Sequence, residues 1–168
     1  MKSNNVSYLL LGFLCAGYLI FIAASAPLLP ERMAVHFGAD GEANGWMSRS
    51  ADLILLGGLG VGMPLLFVAL SLLTGLIPAR FVNLPHREYW LSPERRAQTR
   101  AYISRQMIWM GCLMVLFLGG IHGLTIQSNH VTPPHLAMNL FWTLVGGFLA
   151  GVASWSILFI RHFAKRRE

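Results

Sequence analysis

Residues 53–77 read LILLGGLGVGMPLLFVALSLLTGLI, a run without a single Asp, Glu, Lys or Arg. About 20 mainly apolar residues cross the hydrocarbon core of a bilayer as one helix. This stretch therefore predicts a transmembrane helix. Three further stretches have the same character and predict three more spans: 6–29, 107–126 and 136–160.

The composition of the whole chain agrees with four spans. Of its 168 residues, 55% are hydrophobic and only 12% are charged, whereas soluble domains carry about 25% charged residues. A soluble enzyme and a disordered chain are therefore excluded. Both cysteines fall within predicted spans, so a secreted disulfide scaffold is not indicated. We expect a single all-α membrane domain over 1–168, a four-helix bundle with connecting loops at 30–52, 78–106 and 127–135.

The basic residues predict the orientation of the chain. Of 13 Lys and Arg residues, only Arg32 and Arg49 fall in the first loop, and 127–135 contains none. The others precede the first span, lie between the second and third, or follow the fourth. Because cytoplasmic loops carry the excess of Lys and Arg, we expect both termini and 78–106 to be cytoplasmic. The net charge of +6 is thereby explained without a nucleic-acid partner.

The loop after the first span has a strong turn pattern. Pro30–Ser50 reads PERMAVHFGADGEANGWMSRS, in which Asp40-Gly41 and Asn44-Gly45 both favour positive φ. We expect a compact loop with 35–37 extended and Trp46 against the membrane face. Ser50 is the expected N-cap of the second helix.

The same residues carry a family resemblance. Val35-His36-Phe37, Asp40-Gly41, Asn44-Gly45-Trp46 and Arg49 resemble the small membrane domain of unknown function at the N-terminus of SdpI-type immunity proteins. Residues 83–96 also resemble the cytoplasmic loop of its bacterial members. The resemblance, over residues 7–110, implies a bacterial inner-membrane protein. Its longer relatives act in immunity to a secreted toxic peptide and in sequestering a repressor at the membrane.

Two kinds of site are expected at the outer face. The first binds a ligand or protein partner through side chains of the first loop: His36, Phe37, Asp40, Asn44 and Trp46. The alternative is a metal or small-molecule site, because imidazoles from separate loops can converge on Zn²⁺ or Cu²⁺. Its candidate ligands are His36, His122, His130 and His135. No predicted span contains a carboxylate or a cation, so we expect neither a proton pump nor an enzyme, and no cofactor other than this metal.

The loop at 78–106 is the other candidate surface. Ser92-Pro93-Glu94 is typical of a helix start, so a helix over 95–109 is expected to run into the third span. Candidate contact residues are Arg87, Tyr89, Trp90, Arg95, Arg96 and Arg100. They suit either an acidic cytosolic regulator or anionic lipid headgroups. Gly58/Gly62, Gly119/Gly123 and Gly147/Gly151 have the GxxxG spacing, which indicates packing within the bundle or a homo-oligomer.

Overall fold

The computed structural model describes residues 2–73 and 76–164 of the chain. Residues 74 and 75 of the predicted second span lie outside this description, and so do the basic residues after Ala164. The elements in chain order are α1 (Lys2–Ser25), β1 (Arg32–Phe37), β2 (Ala43–Ser48), α2 (Arg49–Leu73), α3 (Arg87–Trp90), α4 (Arg96–Asn129) and α5 (Met138–Ala164). Short 3₁₀ turns lie at Ala26–Leu28 and Ala79–Phe81.

Four helices, α1, α2, α4 and α5, are long and apolar enough to cross a membrane. The prediction of four membrane-crossing helices is confirmed to that extent. Near the start of α1, the Tyr8 hydroxyl lies 2.8 Å from that of Ser71 at the end of α2 and 3.3 Å from that of Ser104 in α4. Helices α1, α2 and α4 therefore run in alternating directions.

The core lies between three of the four long helices. Its buried members come from α1, α2 and α4: Leu11, Tyr18, Ile22, Leu56, Ile108, Cys112 and Val115. Helix α4 packs against both others and also against α5. Of the described α5 side chains, only Phe163 is buried, so α5 lies on the flank of α4 outside this core.

Helices α1 and α2 pack tightly at Gly60 in the core. The Tyr18 hydroxyl donates to the carbonyl oxygen of Leu56 at 2.8 Å, and the Tyr18 ring crosses Gly60 so closely that a Cβ there would lie 2.0 Å from ring atom Cε1. The predicted pair Gly58 and Gly62 has nothing within 4 Å of such an atom. Small residues do allow close packing here, at a glycine outside the GxxxG pairs. Within the other two pairs, a Cβ at Gly151 would meet Leu113 at 3.2 Å and one at Gly119 would meet Tyr18 at 3.7 Å.

The loop between α1 and α2 is a β-hairpin, so the all-α prediction is incomplete. Strands β1 and β2 pair antiparallel, with Met33 opposite Met47 and Ala34 opposite Trp46, and the register shifts between Ala34 and Phe37. The predicted extended segment 35–37 is confirmed as part of β1. At the hairpin turn Gly41 has φ +87°, and its N–H donates to the Gly38 carbonyl at 3.0 Å.

Two predicted helix starts need correction. Helix α2 begins at Arg49, and the backbone N–H of Ala51 donates to the Ser48 hydroxyl at 3.3 Å. Ser48 therefore caps the helix, and Ser50 lies inside its first turn. Helix α4 begins at Arg96 rather than Arg95, without a side-chain cap, because the preceding turn uses the Ser92 carbonyl to accept the N–H groups of residues 95 and 96.

Candidate functional site

The hairpin is bound firmly to the end of α4. The Asn129 side chain accepts the backbone N–H of Ala34 through Oδ1 and donates to the Ala34 carbonyl through Nδ2, both at 2.8 Å. Ala34 and Met33 are fully buried at this contact. The Asn129 amide thus continues the sheet's hydrogen bonding from a helix end, and it fixes the position of β1.

A second set of backbone contacts joins the hairpin turn to the chain before α5. Leu136 donates its N–H to the Gly41 carbonyl at 2.9 Å, and His135 donates its own to the Ser128 carbonyl at 3.2 Å. Glu42 and His135 form an isolated antiparallel bridge. The start of α5 is therefore held beside the hairpin.

These contacts leave a cavity of about 340 Å³ between the hairpin and α5, which we call the hairpin groove. One side is formed by residues 35–39. The other is formed by Leu136, Met138, Phe141 and Trp142. The lining is mainly apolar, and His36 is its one ionisable side chain. Such a surface suits an apolar group that also carries a hydrogen-bonding atom.

The five residues predicted to bind a ligand are only partly brought together. His36 and Phe37 line the groove. Nδ1 of His36 is hydrogen-bonded to Oδ1 of Asn44, so Asn44 orients the imidazole and leaves Nε2 for a further hydrogen bond. Asp40 builds the turn, because its Oδ1 accepts the Glu42 N–H at 3.0 Å. Trp46 is absent from the groove lining; its ring lies 5.9 Å from the Arg32 guanidinium.

The structure does not bring the four predicted metal ligands together. Across residues 2–73 and 76–164, no three His, Cys, Asp or Glu side chains are placed to hold a metal ion. His122 is fully buried and lies 2.7 Å from the Ser25 hydroxyl. The His130 ring donates to the Leu28 carbonyl at 3.1 Å, and His135 lies against Gly41.

The expectation that the spans lack a buried carboxylate is wrong for Asp52. Because α2 begins at Arg49, Asp52 falls in its first turn, where it is 4% exposed. Within the described part of the chain its Oδ2 has no hydrogen-bond partner. The positive end of the α2 dipole favours the negative charge at this position.

The groove also includes residues that sequence reasoning missed. Phe141 and Trp142 lie within the predicted fourth span, yet they form one wall of the groove. Asn129 lies within the predicted loop at 127–135, yet it is the last residue of α4 and holds β1. The sequence gives one indication that Phe141 and Trp142 have a special position: they form an aromatic pair near the expected end of a span.

At the opposite end of the helices, the predicted contact residues differ in the interactions that they make. Trp90 donates its ring N–H to the Phe163 carbonyl at 3.0 Å and stacks on His162, with the ring centroids 5.2 Å apart. Its carbonyl accepts the Thr99 hydroxyl at 2.8 Å. Trp90 therefore joins the start of α4 to the end of α5, which limits its contact with an outside partner.

The arginines of this end divide into engaged and exposed groups. Arg100 donates to the Ile77 carbonyl and Arg87 to the Arg80 carbonyl, each at 3.1 Å. The Arg95 guanidinium lies 4.2 Å from the Tyr89 ring centroid. Arg96 is exposed like Arg87 and Arg95, but within the described residues its side chain makes no hydrogen bond or ring contact.

Comparison with known proteins identifies a family domain in the first part of the chain. Residues 13–61 match the model of a domain of unknown function (DUF1648). The matched segment begins within α1, contains the whole hairpin and ends within α2. No curated protein and no solved structure matches the chain.

Proposed function

We propose that this chain is a non-enzymatic membrane protein that recognises a peptide or protein through the hairpin groove. The proposal builds on its four candidate membrane spans and its domain of unknown function. The observation that carries the proposal is the groove itself, about 340 Å³ between residues 35–39 and the start of α5. We place the chain in a bacterial inner membrane, with both termini cytoplasmic and the hairpin on the outer face, as in the SdpI-related kind of protein.

The groove chemistry favours an apolar side chain of a partner. Phe37, Met138 and Phe141 line it, and burial of one large apolar side chain contributes about 1.5–3 kcal/mol. Nε2 of His36 adds a hydrogen-bonding contact for a polar group on the partner. The volume lies at the low end of the range for small-ligand sites, which suits a side chain better than a large cofactor.

The same lining supports binding rather than catalysis. A hydrolytic or transfer reaction needs a nucleophile or metal near a general base. His36 is the sole titratable group among the residues lining the groove, and neither a hydroxyl nor a thiol is found with it. The immunity or signalling roles of longer relatives fit a recognition surface of this kind.

Photo-crosslinking in intact cells tests the proposal. A benzoylphenylalanine in place of Phe37 is expected to give one discrete protein or peptide adduct. The same group in place of Ile54, which is 75% exposed on α2, should give lipid adducts only. Identical adducts at the two positions would count against recognition at the groove.

Two substitutions of alanine by tryptophan sharpen this test. Ala39→Trp places an indole in the groove, since Ala39 lines it and is exposed. Ala51→Trp makes the same change at an exposed position in the first turn of α2, which does not line the groove. The Phe37 adduct should be lost in the first variant and kept in the second. Retention in both would refute the groove as the binding site.

A further inference from the structure

A cavity at the end opposite the hairpin lies within the loop from α2 to α4. It has a volume of about 570 Å³ and is lined by residues 80–84 and 86–89. We call it the basic-loop cavity. It shares no residue with the hairpin groove, so any binding site in it is independent of the proposed function.

Hydrogen bonds give the loop around this cavity a defined frame. Phe81 donates its N–H to the Pro78 carbonyl at 3.0 Å. Arg87 donates to the Arg80 carbonyl across the cavity at 3.1 Å. His86 has the left-handed backbone conformation, φ +52°, and its carbonyl accepts the N–H of Tyr89 at 3.0 Å, which turns the chain into α3.

The charges that line the cavity are predominantly positive. Arg80 and Arg87 contribute two guanidiniums against the single carboxylate of Glu88, and His86 adds an imidazole. Each guanidinium has five N–H donors. The Arg80 group lies 4.7 Å from the Phe81 ring centroid, and within the described residues neither arginine is engaged in an ion pair. Donors therefore remain for an oxyanion such as phosphate.

The same loop also presents apolar side chains beside these charges. Leu76 is 77% exposed and Phe81 is 67% exposed, and both lie within eight residues of the end of the candidate span α2 at Leu73. Contact with such an apolar surface does not stabilise the binding of a water-soluble anion. A phospholipid combines a phosphate with acyl chains. Basic pockets between transmembrane helices bind the acidic headgroups of such lipids.

We propose that the basic-loop cavity is a specific site for one anionic phospholipid, with the phosphate held by Arg80 and Arg87 and the acyl chains against the exposed apolar residues of the loop. This is a discrete site with fixed residues. It differs in that respect from a diffuse attraction of all nearby arginines to the membrane surface.

Native mass spectrometry of the purified full-length chain tests this proposal. The detergent-solubilised protein is titrated with phosphatidylglycerol, with phosphatidylcholine and with inorganic phosphate in separate series. We expect one phosphatidylglycerol per chain at low lipid concentration, and weaker binding of phosphatidylcholine. Equal binding of the two lipids, or binding of inorganic phosphate without preference for phosphatidylglycerol, would overturn the lipid assignment.

Charge-matched double variants separate the site from diffuse attraction. A hydrogen bond to a charged group contributes about tenfold or more in affinity, so Arg80→Gln with Arg87→Gln should lose about 100-fold or more for phosphatidylglycerol. Arg96→Gln with Arg161→Gln removes the same charge from exposed positions outside the cavity and should lose far less. Equal losses in the two double variants would refute a discrete site.

A single variant covers the case in which the double variant misfolds. The Arg80 side chain makes none of the hydrogen bonds that frame the loop, so Arg80→Gln should leave the loop intact. About a tenfold loss of phosphatidylglycerol affinity is expected, with an unchanged circular dichroism spectrum. Unchanged affinity in this folded variant would refute the role of Arg80.

Discussion

Replacing Gly60 by alanine is expected to destabilise the three-helix core. The new Cβ would lie 2.0 Å from Cε1 and 2.5 Å from Cζ of Tyr18, whereas carbon atoms pack at about 3.5–4.0 Å. The ring, which is 4% exposed, must therefore move by about 1.5 Å or more. A shift of that size breaks the 2.8 Å hydrogen bond from the Tyr18 hydroxyl to the Leu56 carbonyl.

The size of this destabilisation follows from two unfavourable contributions and one favourable contribution. Overpacking a dense core costs about 1–3 kcal/mol, and loss of an interhelical hydrogen bond in a membrane protein costs about 0.6 kcal/mol. Alanine recovers about 0.5–1 kcal/mol because it restricts the unfolded backbone more than glycine does. We expect Gly60→Ala to lower the free energy of unfolding by about 2 kcal/mol.

The assay is unfolding by SDS in mixed micelles, followed by circular dichroism. Gly58→Ala is the matched control, because a Cβ at Gly58 meets nothing within 4 Å, and it should be neutral or slightly stabilising. Tyr18→Phe measures the hydroxyl separately. Equal stability of Gly60→Ala and Gly58→Ala would refute the packing of Tyr18 on Gly60.

Two further predictions concern the hairpin and the orientation of the chain. Asn129→Ala leaves the buried Ala34 N–H without its 2.8 Å partner, which costs about 1–3 kcal/mol, and amide hydrogen exchange over β1 should become faster; unchanged exchange would contradict this contact. In a background without native cysteines, Asn44→Cys should react with a membrane-impermeant maleimide in intact cells, and Gln98→Cys only after permeabilisation. The reverse pattern would contradict the cytoplasmic assignment of both termini.

The long apolar runs were predictable from sequence because lipid imposes a simple rule on length and composition. The window 53–77 identified α2, and the turn pairs at Asp40-Gly41 and Asn44-Gly45 identified a compact connection. The two strands themselves were only partly predicted. Of the twelve strand positions, Val35, His36 and Phe37 were expected to be extended, since a short hairpin depends on the partner that pairs with it.

The candidate site was less predictable because it is assembled across the chain. Asn129 meets Ala34 over a separation of 95 residues, and periodicity cannot identify such a contact. Phe141 and Trp142 look like ordinary interfacial aromatic residues until the hairpin is placed against them. The four histidines have the right chemistry for a metal, but each is assigned to a different local environment by the fold.

Helix α4 has a consequence for how the two ends of the molecule are related. Its 34 residues, at 1.5 Å per residue, span about 51 Å, well beyond a hydrocarbon core of about 30 Å. One end holds the hairpin through Asn129, and the other holds Trp90 through Thr99. Because one uninterrupted helix carries both attachments, a rotation of α4 about its axis would displace the hairpin and Trp90 together.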